Sequence, residues 1–302
     1  MRTKKLRAPA EGVTALLEAT RVRDVPRRSP TSVIPLLDCH GLSEVGRRRK
    51  GNEDDFLMAA LPMGRELLNP DPTGKRLVPS PGQTGFLFLV ADGMGGIPCG
   101  ERASAMAIKS LHRYLKDLAL DKESLEVSRT LRQGIRQCQS DLQAEVDRRP
   151  ECEGMSTTLT GALALARHLY VVHSGDSRCY LLRDSRLHRV TDDHSQAQLD
   201  VDAGKASPAD ARASSDGNHL WNYLTSDYSE LRPDVGAIPL EAGDILLLCT
   251  DGVSDSVPDH TLQRHLSRRA SAENICEGLI AAAREGGRGD DLTAIVLRFG
   301  GE

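Results

Sequence analysis

The sequence has few aromatic residues and no hydrophobic run long enough to cross a bilayer. Phe, Trp and Tyr make up only 3% of the 302 residues. The longest apolar runs, Phe86 to Ala91 and Ile245 to Cys249, have the length of single strands. The basic N-terminus lacks the apolar stretch of a secretory signal. We therefore expect a soluble protein that does not enter the membrane.

Paired cysteines and an excess of positive charge are also missing. The seven cysteines are scattered, odd in number and include no C-x-x-C pair, so the sequence predicts neither a disulfide framework nor a zinc site. The cytoplasm is the expected location. The formal net charge is −4, from 39 basic and 43 acidic residues, which disfavours nucleic acid as a partner.

Composition divides the chain into a basic arm and one large domain. Residues 1–35 are rich in Arg, Pro and Ser without periodicity, which predicts a mobile arm, either a solvated tail or a dock for an acidic partner. Residues 36–302 are expected to form one catalytic domain. Within it, the Pro- and Gly-rich segment 62–85 predicts a loop, and the polar segment 195–232 predicts a surface flap.

Apolar periodicity predicts an α+β fold with antiparallel strands. Helical spacing recurs over 103–118 and 131–146, and residues 158–166 alternate with the period of a strand. The strand candidates that follow, at 169–172, 179–182 and 186–190, are closely spaced. They must pair antiparallel, because parallel neighbours need a crossover of about a dozen residues or more.

Acidic pairs stand where apolar strands meet turns. They are Glu53-Asp54, Asp92-Gly93, Asp251-Gly252 and Asp290-Asp291. Carboxylates gathered at the ends of buried strands repel one another and are costly to desolvate unless a cation joins them. Oxygen donors without His or Cys favour Mg²⁺ or Mn²⁺ over zinc. One Asp-Gly pair alone is more often an ordinary turn, but the whole set predicts a metal site.

Seven motifs of this chain, in this order, resemble those of metal-dependent protein phosphatases of type 2C. They are R-K-G-N-E-D (Arg49–Asp54), D-G-M-G-G (Asp92–Gly96), G-M-S-T-T (Gly154–Thr158), G-D-S-R (Gly175–Arg178), T-D-D-H-S (Thr191–Ser195), T-D-G-V-S-D (Thr250–Asp255) and D-D-L-T (Asp290–Thr293). The resemblance runs from about Gly41 to Phe299. It implies a four-layer α-β-β-α sandwich of two antiparallel sheets flanked by helices.

The resemblance also implies two Mn²⁺ or Mg²⁺ ions in a cleft at one end of the sandwich. Asp92 would bridge the ions and Gly93 would offer its carbonyl to one of them. Glu53 and Asp54 would act directly or through water. Asp176 matches a position that, together with the Asp251 position, helps to hold a third, weaker ion in similar bacterial enzymes. The implied ligands of the two main ions are Glu53, Asp54, Asp92, Gly93, Asp251 and Asp290.

The implied activity is that of a hydrolase: a serine/threonine protein phosphatase that opposes a kinase in signal transduction. Two ions would lower the pKa of a bridging water and aim it directly at phosphorus. Arg49 is the predicted phosphate clamp, since a guanidinium can bind two phosphate oxygens. The alternative for Arg49 is that it belongs to a solvated basic run over residues 47–50.

Three positions depart from the family pattern or invite other roles. Met94 stands where animal members carry a histidine proposed as general acid, and Asp291 stands where the family usually has Asn. His194 is more simply explained as a residue that fixes a turn. Two other functions stay open from the sequence: an inactive module of the same fold that binds phosphoproteins, and a phosphohydrolase for small molecules.

Overall fold

The described chain alternates strands and helices in an order that builds two sheets. The computed structural model describes residues 37–61, 66–68, 75–76, 85–94, 99–116, 124–165, 167–207, 210–211, 214, 217–227, 230–287 and 289–300. The predicted arm over 1–35 therefore lies outside the described residues. The proposed domain boundary and the flap over 195–232 stay predictions.

The strands are β1 (Leu37–Glu44), β2 (Asp54–Leu61), β3 (Glu66–Leu68), β4 (Lys75–Arg76), β5 (Gly85–Asp92), β6 (Ser156–Thr157), β7 (Leu159–Leu165), β8 (His168–Ser174), β9 (Arg178–Arg183), β10 (Arg186–Arg189), β11 (Leu224–Thr225), β12 (Asp234–Pro239), β13 (Ile245–Cys249) and β14 (Leu292–Phe299). The helices are α1 (Gly100–Leu115), α2 (Ser124–Arg148), α3 (Gln196–Asp202), α4 (Asp251–Ser254), α5 (Asp259–Leu266) and α6 (Ala272–Gly286), with a 3₁₀ helix at Pro150–Cys152. None of the helices described here has both the length and the apolar character needed to span a membrane.

Two six-stranded sheets form the body of the domain. Their strand orders are β10-β9-β13-β14-β1-β4 and β12-β8-β7-β5-β2-β3, and β6 pairs separately with β11. All pairings between the described strands are antiparallel, which confirms the prediction. The β9–β10 hairpin turns at Asp184 and Ser185, whose φ angles of 49° and 61° suit a two-residue turn that matches strand twist.

Three clusters of buried side chains separate four layers. Helices α1 and α2 pack on one face of the β5 sheet, where Leu111 and Leu131 meet Leu89. The two sheets face each other across a second cluster that includes Phe88 and Leu248. Helices α5 and α6 cover the outer face of the β13 sheet. This is the predicted α-β-β-α sandwich, in which each helix layer hides the apolar face of one sheet.

The segment over residues 62–85 is not only a loop. It contains β3, which pairs with β2 at the edge of one sheet, and β4, which pairs with β1 at the edge of the other. Strands of three and two residues are too short to show a periodicity of two, so alternation of apolar and polar residues could not predict them. Their backbone groups extend both sheets by one strand.

The expectation of no disulfide is wrong, because Cys99 and Cys152 are bonded. Their separation of 53 residues carries no motif. Cys99 directly precedes α1 and Cys152 follows α2 in the 3₁₀ helix, and α1 and α2 pack against each other as an antiparallel hairpin. The hairpin brings its two open ends together, and that tertiary proximity cannot be read from cysteine spacing. The other five cysteines, all within the described residues, are buried and form no disulfide.

Candidate metal centre

The predicted ligand positions lie at the ends of central strands in both sheets. Asp92 ends β5 and stands directly opposite Asp54, the first residue of β2. In the other sheet, Asp251 begins α4 just after β13, and Asp290 lies just before β14, the partner of β13. Because the sheets are stacked, these strand ends meet at one end of the sandwich. Asp92 and Asp251, from different sheets, lie close enough for each to shift the pKa of the other.

Asp92 is surrounded by other carboxylates. Burial is the main cause that raises the pKa of Asp92 well above its ordinary value, and the charges of Asp54, Asp251 and Asp176 raise it further. Carboxylates this close together favour a bound cation, because they repel one another and are costly to desolvate.

Asp54 is anchored through one carboxylate oxygen only. Its Oδ2 accepts hydrogen bonds from Thr250 Oγ1 at 2.8 Å and from Thr293 Oγ1 at 2.7 Å. Its Oδ1 is buried and has no hydrogen-bond partner. Burial raises the pKa of Asp54 well above its ordinary value despite these two hydrogen bonds, and Asp291 and Asp251 add to the effect. The two threonines fix the side chain while one oxygen stays available.

Asp251 and Asp176 extend the cluster. Burial raises the pKa of Asp251 to about 6, with repulsion from Asp290 and Asp255 as further causes. The Oδ1 atom of Asp251 is buried without a partner, as in Asp54. Burial, followed by the charge of Asp251, also raises the pKa of Asp176 well above its ordinary range. Asp176 therefore lies within electrostatic reach of the residue with which it was predicted to share a third ion.

Glu53 and Gly93 lie in a closely packed corner. The Gly93 amide donates to the Glu53 carbonyl at 3.0 Å, and a Cβ on Gly93 would collide with the carbonyl of Gly100. Only glycine fits at this approach between β5 and the first turn of α1. A Cβ on Gly100 would in turn lie 2.9 Å from Glu53 Oε1, so the Glu53 carboxylate rests over the start of α1. Burial raises the pKa of Glu53 above its usual value.

The adjacent residues Asp290 and Asp291 have different surroundings. Asp290 Oδ1 accepts from Arg49 Nε at 2.7 Å and lies 2.6 Å from Arg49 Nη2. Asp291 is buried, and its two oxygens accept from the amides of Gly46 at 2.7 Å and Glu53 at 2.9 Å. Asp291, which departs from the usual Asn, therefore holds the β1–β2 connection in place, a role the sequence did not reveal.

The donor set suits hard divalent cations. All candidate side chains offer carboxylate oxygens, and two of these oxygens, on Asp54 and Asp251, are buried without partners. Such oxygens are costly to desolvate unless a cation binds them. Among the described residues, no group of three or more His, Cys, Asp or Glu side chains is arranged so that it could hold a metal ion as it stands. Arg49 is bound to Asp290 in this arrangement.

Two threonines brace the backbone of Asp92. The Asp92 amide donates to Thr158 Oγ1 at 3.0 Å, and the Asp92 carbonyl accepts from Thr157 Oγ1 at 2.8 Å and from the Thr158 amide at 2.9 Å. The G-M-S-T-T motif thus positions the central carboxylate and is not a source of nucleophiles. The small polar residues at the start of a buried strand were the only sequence signal for this role.

A buried arginine connects three of the motifs. Arg178 donates from Nε to Asp193 Oδ1 at 2.8 Å and from Nη2 to Asp193 Oδ2 at 2.6 Å, and it lies 3.5 Å from Asp255. Arg189 also binds Asp193, at 2.6 Å. Although burial alone would raise the pKa of Asp193, pairing with Arg178 lowers it below the ordinary value. Sequence reasoning missed this network, because no motif joins Arg178 to Asp193, 15 residues away, or to Asp255, 77 residues away.

His194 fixes a turn, as the sequence indicated. Its Nδ1 accepts from the Gly175 amide at 3.2 Å and from Asn222 Nδ2 at 2.8 Å, while Nε2 lies 3.1 Å from Asp234 Oδ2. The histidine therefore links the turn that carries Asp176 to Asn222, in the segment predicted as a flap. Trp221 packs against the same ring, with 4.8 Å between ring centroids.

Comparison with known proteins identifies relatives of this chain. The family profile described as "Protein phosphatase 2C" matches residues 76–284, which include Asp92, Asp176 and Asp251 but not Glu53 or Asp290. The serine/threonine protein phosphatase PstP of Mycobacterium tuberculosis is 38% identical over 210 residues, or 70% of this chain. That match spans 40% of the length of PstP.

Solved structures share the fold. The crystal structure of the Mycobacterium tuberculosis phosphatase PstP/Ppp is 31% identical, with a TM-score of 0.72, and covers 88% of this chain and 99% of its own. A structure of the PstP catalytic domain in complex with two manganese ions is 32% identical, with a TM-score of 0.68, and covers 88% of this chain and 100% of its own.

Proposed function

This chain belongs to the protein phosphatase 2C family, and we propose that it removes phosphate from phosphoserine and phosphothreonine in proteins, using two Mn²⁺ or Mg²⁺ ions. One observation carries the proposal: carboxylates from both sheets converge on Asp92, and the cluster contains buried oxygens without partners. The two manganese ions of the similar PstP structure support the metal requirement.

The chemistry needs charge neutralisation and a nucleophile, because a phosphate monoester is a dianion that repels hydroxide. When bound, the two ions supply both, by offsetting that charge and by lowering the pKa of a water held between them. Asp92 is the proposed shared ligand, since it lies in electrostatic contact with Asp54, Asp176 and Asp251 at once. Thr157 and Thr158 keep its backbone in place.

Arg49 is the proposed clamp for the phosphate oxygens. Asp290 anchors its Nε and Nη2 atoms, whereas Nη1 lies 3.7 Å from Glu53 Oε2, a long contact. The side chain is 32% exposed, so the guanidinium stands at the mouth of the carboxylate cluster. A guanidinium fixed on one edge can still present its remaining donors to a phosphate.

The leaving alkoxide has no obvious protein acid. Met94 occupies the position of the histidine in animal relatives, and its amide donates to the Ser156 carbonyl at 3.1 Å. A thioether cannot transfer a proton. We therefore assign protonation of the leaving group to water. Glu53 lies in the same corner, and its raised pKa suits a role in holding that water.

The decisive experiment is release of phosphate from a phosphothreonine peptide across a range of Mn²⁺ and Mg²⁺ concentrations. We expect release that depends on either metal and is abolished by Asp92→Asn. The matched control is Asp259→Asn, which removes the same charge from an exposed position in the first turn of α5. Activity of Asp92→Asn equal to that of the control would refute the proposed site.

The same assay separates the competing functions. An inactive binding module would bind the peptide but release no phosphate at any metal concentration. A small-molecule phosphohydrolase would cleave nucleotides or sugar phosphates faster than phosphopeptides. The proposed function requires that the phosphopeptide be the better substrate and that Arg49→Ala lower its turnover. The phosphates would then come from a serine/threonine kinase.

A further inference from the structure

A turn with three exposed cations stands beside the proposed metal centre. Arg47, Arg48 and Lys50 lie between β1 and β2, and all three are exposed. We refer to these three residues as the basic turn. None of them forms an ion pair with a described residue, so their charges face solvent. In a protein of net charge −4, such a cluster is not a consequence of overall composition.

The backbone of the basic turn is fixed against the site. The Gly46 amide binds Asp291 Oδ1 at 2.7 Å, and the Arg48 amide donates to the Gly289 carbonyl at 3.0 Å. Gly289 has a φ of +82°, and a Cβ there would lie 2.6 Å from the Arg48 Cγ atom. The Arg48 stem therefore lies on the backbone of the residue that precedes Asp290. The cations are thus held at a defined place, unlike those of a solvated tail.

Charge is distributed unevenly around the mouth of the site. Arg49, within the same turn, points to Asp290 inside the cluster. On the α1 side, the exposed Glu101 lies close enough to Glu53 to raise its pKa, although burial is the main cause. The exposed cations of the basic turn therefore lie on the Asp290 side of the site.

We propose that the basic turn binds acidic side chains that flank the phosphorylated residue of the substrate, so that the enzyme prefers acidic phosphopeptides. This inference rests on the proposed phosphatase function and adds a substrate class to it. Exposed pairs are individually weak, but three of them acting together are worth about a tenfold preference. The preference must decline as salt rises, because exposed charges are screened within about 10 Å at 0.1 M salt.

The competing explanation is that the basic turn only offsets the repulsion among the buried carboxylates. That role would act on metal binding and would change the rate with every substrate alike. Recognition of flanking acids instead changes the ratio of kcat/KM between acidic and neutral peptides. The ratio therefore separates the two explanations.

The test uses phosphothreonine peptides that differ only in their flanks, with three Asp or three Ala residues beside the phosphothreonine. We expect wild-type kcat/KM to be about tenfold higher for the Asp peptide at low salt. In a combined Arg47→Gln, Arg48→Gln and Lys50→Gln variant, the ratio should fall to about one, mainly through a higher KM for the Asp peptide. Glutamine keeps the Cβ and Cγ atoms of the stem that lies on Gly289 and replaces the charged end with a neutral amide.

The matched control removes three exposed arginines elsewhere, by Arg129→Gln, Arg136→Gln and Arg269→Gln. It should keep the wild-type ratio. An unchanged ratio in the basic-turn variant, or an equal loss on both peptides together with weaker Mn²⁺ dependence, would overturn the inference. If the wild type released phosphate from neither peptide, the phosphatase function would fail. Fluorescence anisotropy with the same labelled peptides would still measure whether the basic turn favours the acidic one.

Discussion

The carboxylate of Asp193 and the carboxylates around Asp92 are neighbours at one end of the fold, but they are neutralised differently. Asp193 is buried and receives Arg178 and Arg189, so its pKa is lowered in spite of burial. Asp92 is half-buried among Asp54, Asp176 and Asp251, and its pKa is raised first by loss of solvent and then by these charges. Arginines therefore neutralise Asp193, whereas further carboxylates surround Asp92.

This difference indicates what each site is for. A buried ion pair with all its hydrogen bonds made is a structural connection, and here it joins β9, the T-D-D-H-S motif and the residues after α4. A cluster of like charges with unpartnered oxygens is unstable by itself and suits an external cation. The same end of the protein thus contains an ion pair that neutralises Asp193 beside a carboxylate cluster around Asp92 that its own arginines do not neutralise.

Removing Arg178 should have the largest effect on the free energy of unfolding. Arg178→Ala leaves Asp193 and Asp255 without their buried partner, and we expect a loss of about 3–5 kcal/mol in the free energy of unfolding. Urea denaturation at pH 7 measures it, with exposed Arg129→Ala as the control. Adding Asp193→Asn should restore part of the loss. A loss below about 1 kcal/mol would mean that the ion pair is not structurally important.

Reduction of the disulfide should have the next largest effect on stability, and it should act on the carboxylate cluster around Asp92. The disulfide anchors the start of α1, where Gly100 contacts Glu53 and Gly93. Closing a loop of 53 residues limits the unfolded chain, so we expect reduction to cost about 2–4 kcal/mol. Thermal unfolding with and without reductant measures it. Cys152→Ser should be equally destabilised and insensitive to reductant, and a reductant effect in that variant would contradict the assignment.

In the metal-free protein, the contributions of the two sites to stability should depend on pH in opposite senses. The pKa of Asp251 is raised to about 6, so its contribution to stability is present below its unfolded pKa of about 4 and is lost as pH rises through about 6. Asp193, with a lowered pKa, contributes in the opposite sense and loses stability only as pH falls below about 4.

We therefore expect the free energy of unfolding in chelator to fall between about pH 4 and pH 6, by at most about 1.4 kcal/mol per pH unit for each proton. Urea titrations at several pH values measure this slope. Saturating Mn²⁺ should abolish the decline. A slope that is the same in Asp251→Asn as in the wild type would contradict the account.

Removing the Asp92 carboxylate should have the smallest effect on the free energy of unfolding, and it should stabilise the metal-free protein. Asp92→Asn eliminates a half-buried charge from the repelling cluster, so the metal-free protein should become more stable by roughly 1 kcal/mol. The same substitution should lower the stabilisation by Mn²⁺. Differential scanning calorimetry with and without metal checks both. A metal-free variant less stable than the wild type would indicate that Asp92 is already well satisfied.

Local patterns in the sequence were enough for the helices α1 and α2 and the antiparallel strands, whereas the four-layer order came from the family resemblance. The acidic strand ends were visible because each stands next to an apolar run. Cys99–Cys152, the Asp291 hydrogen bonds and the Arg178 network were not predicted. Each of them joins residues that only the completed fold brings together. Asp291 also has the same charge as Asp290, so composition could not separate a structural acid from a candidate ligand.

The most direct test of the central claim is an anomalous difference map from crystals soaked in Mn²⁺. We expect two strong peaks on either side of the Asp92 carboxylate, with Asp251 and Asp290 oxygens beside one of them and the Gly93 carbonyl beside the other. No peak in this cluster, or peaks only at exposed carboxylates elsewhere, would contradict it.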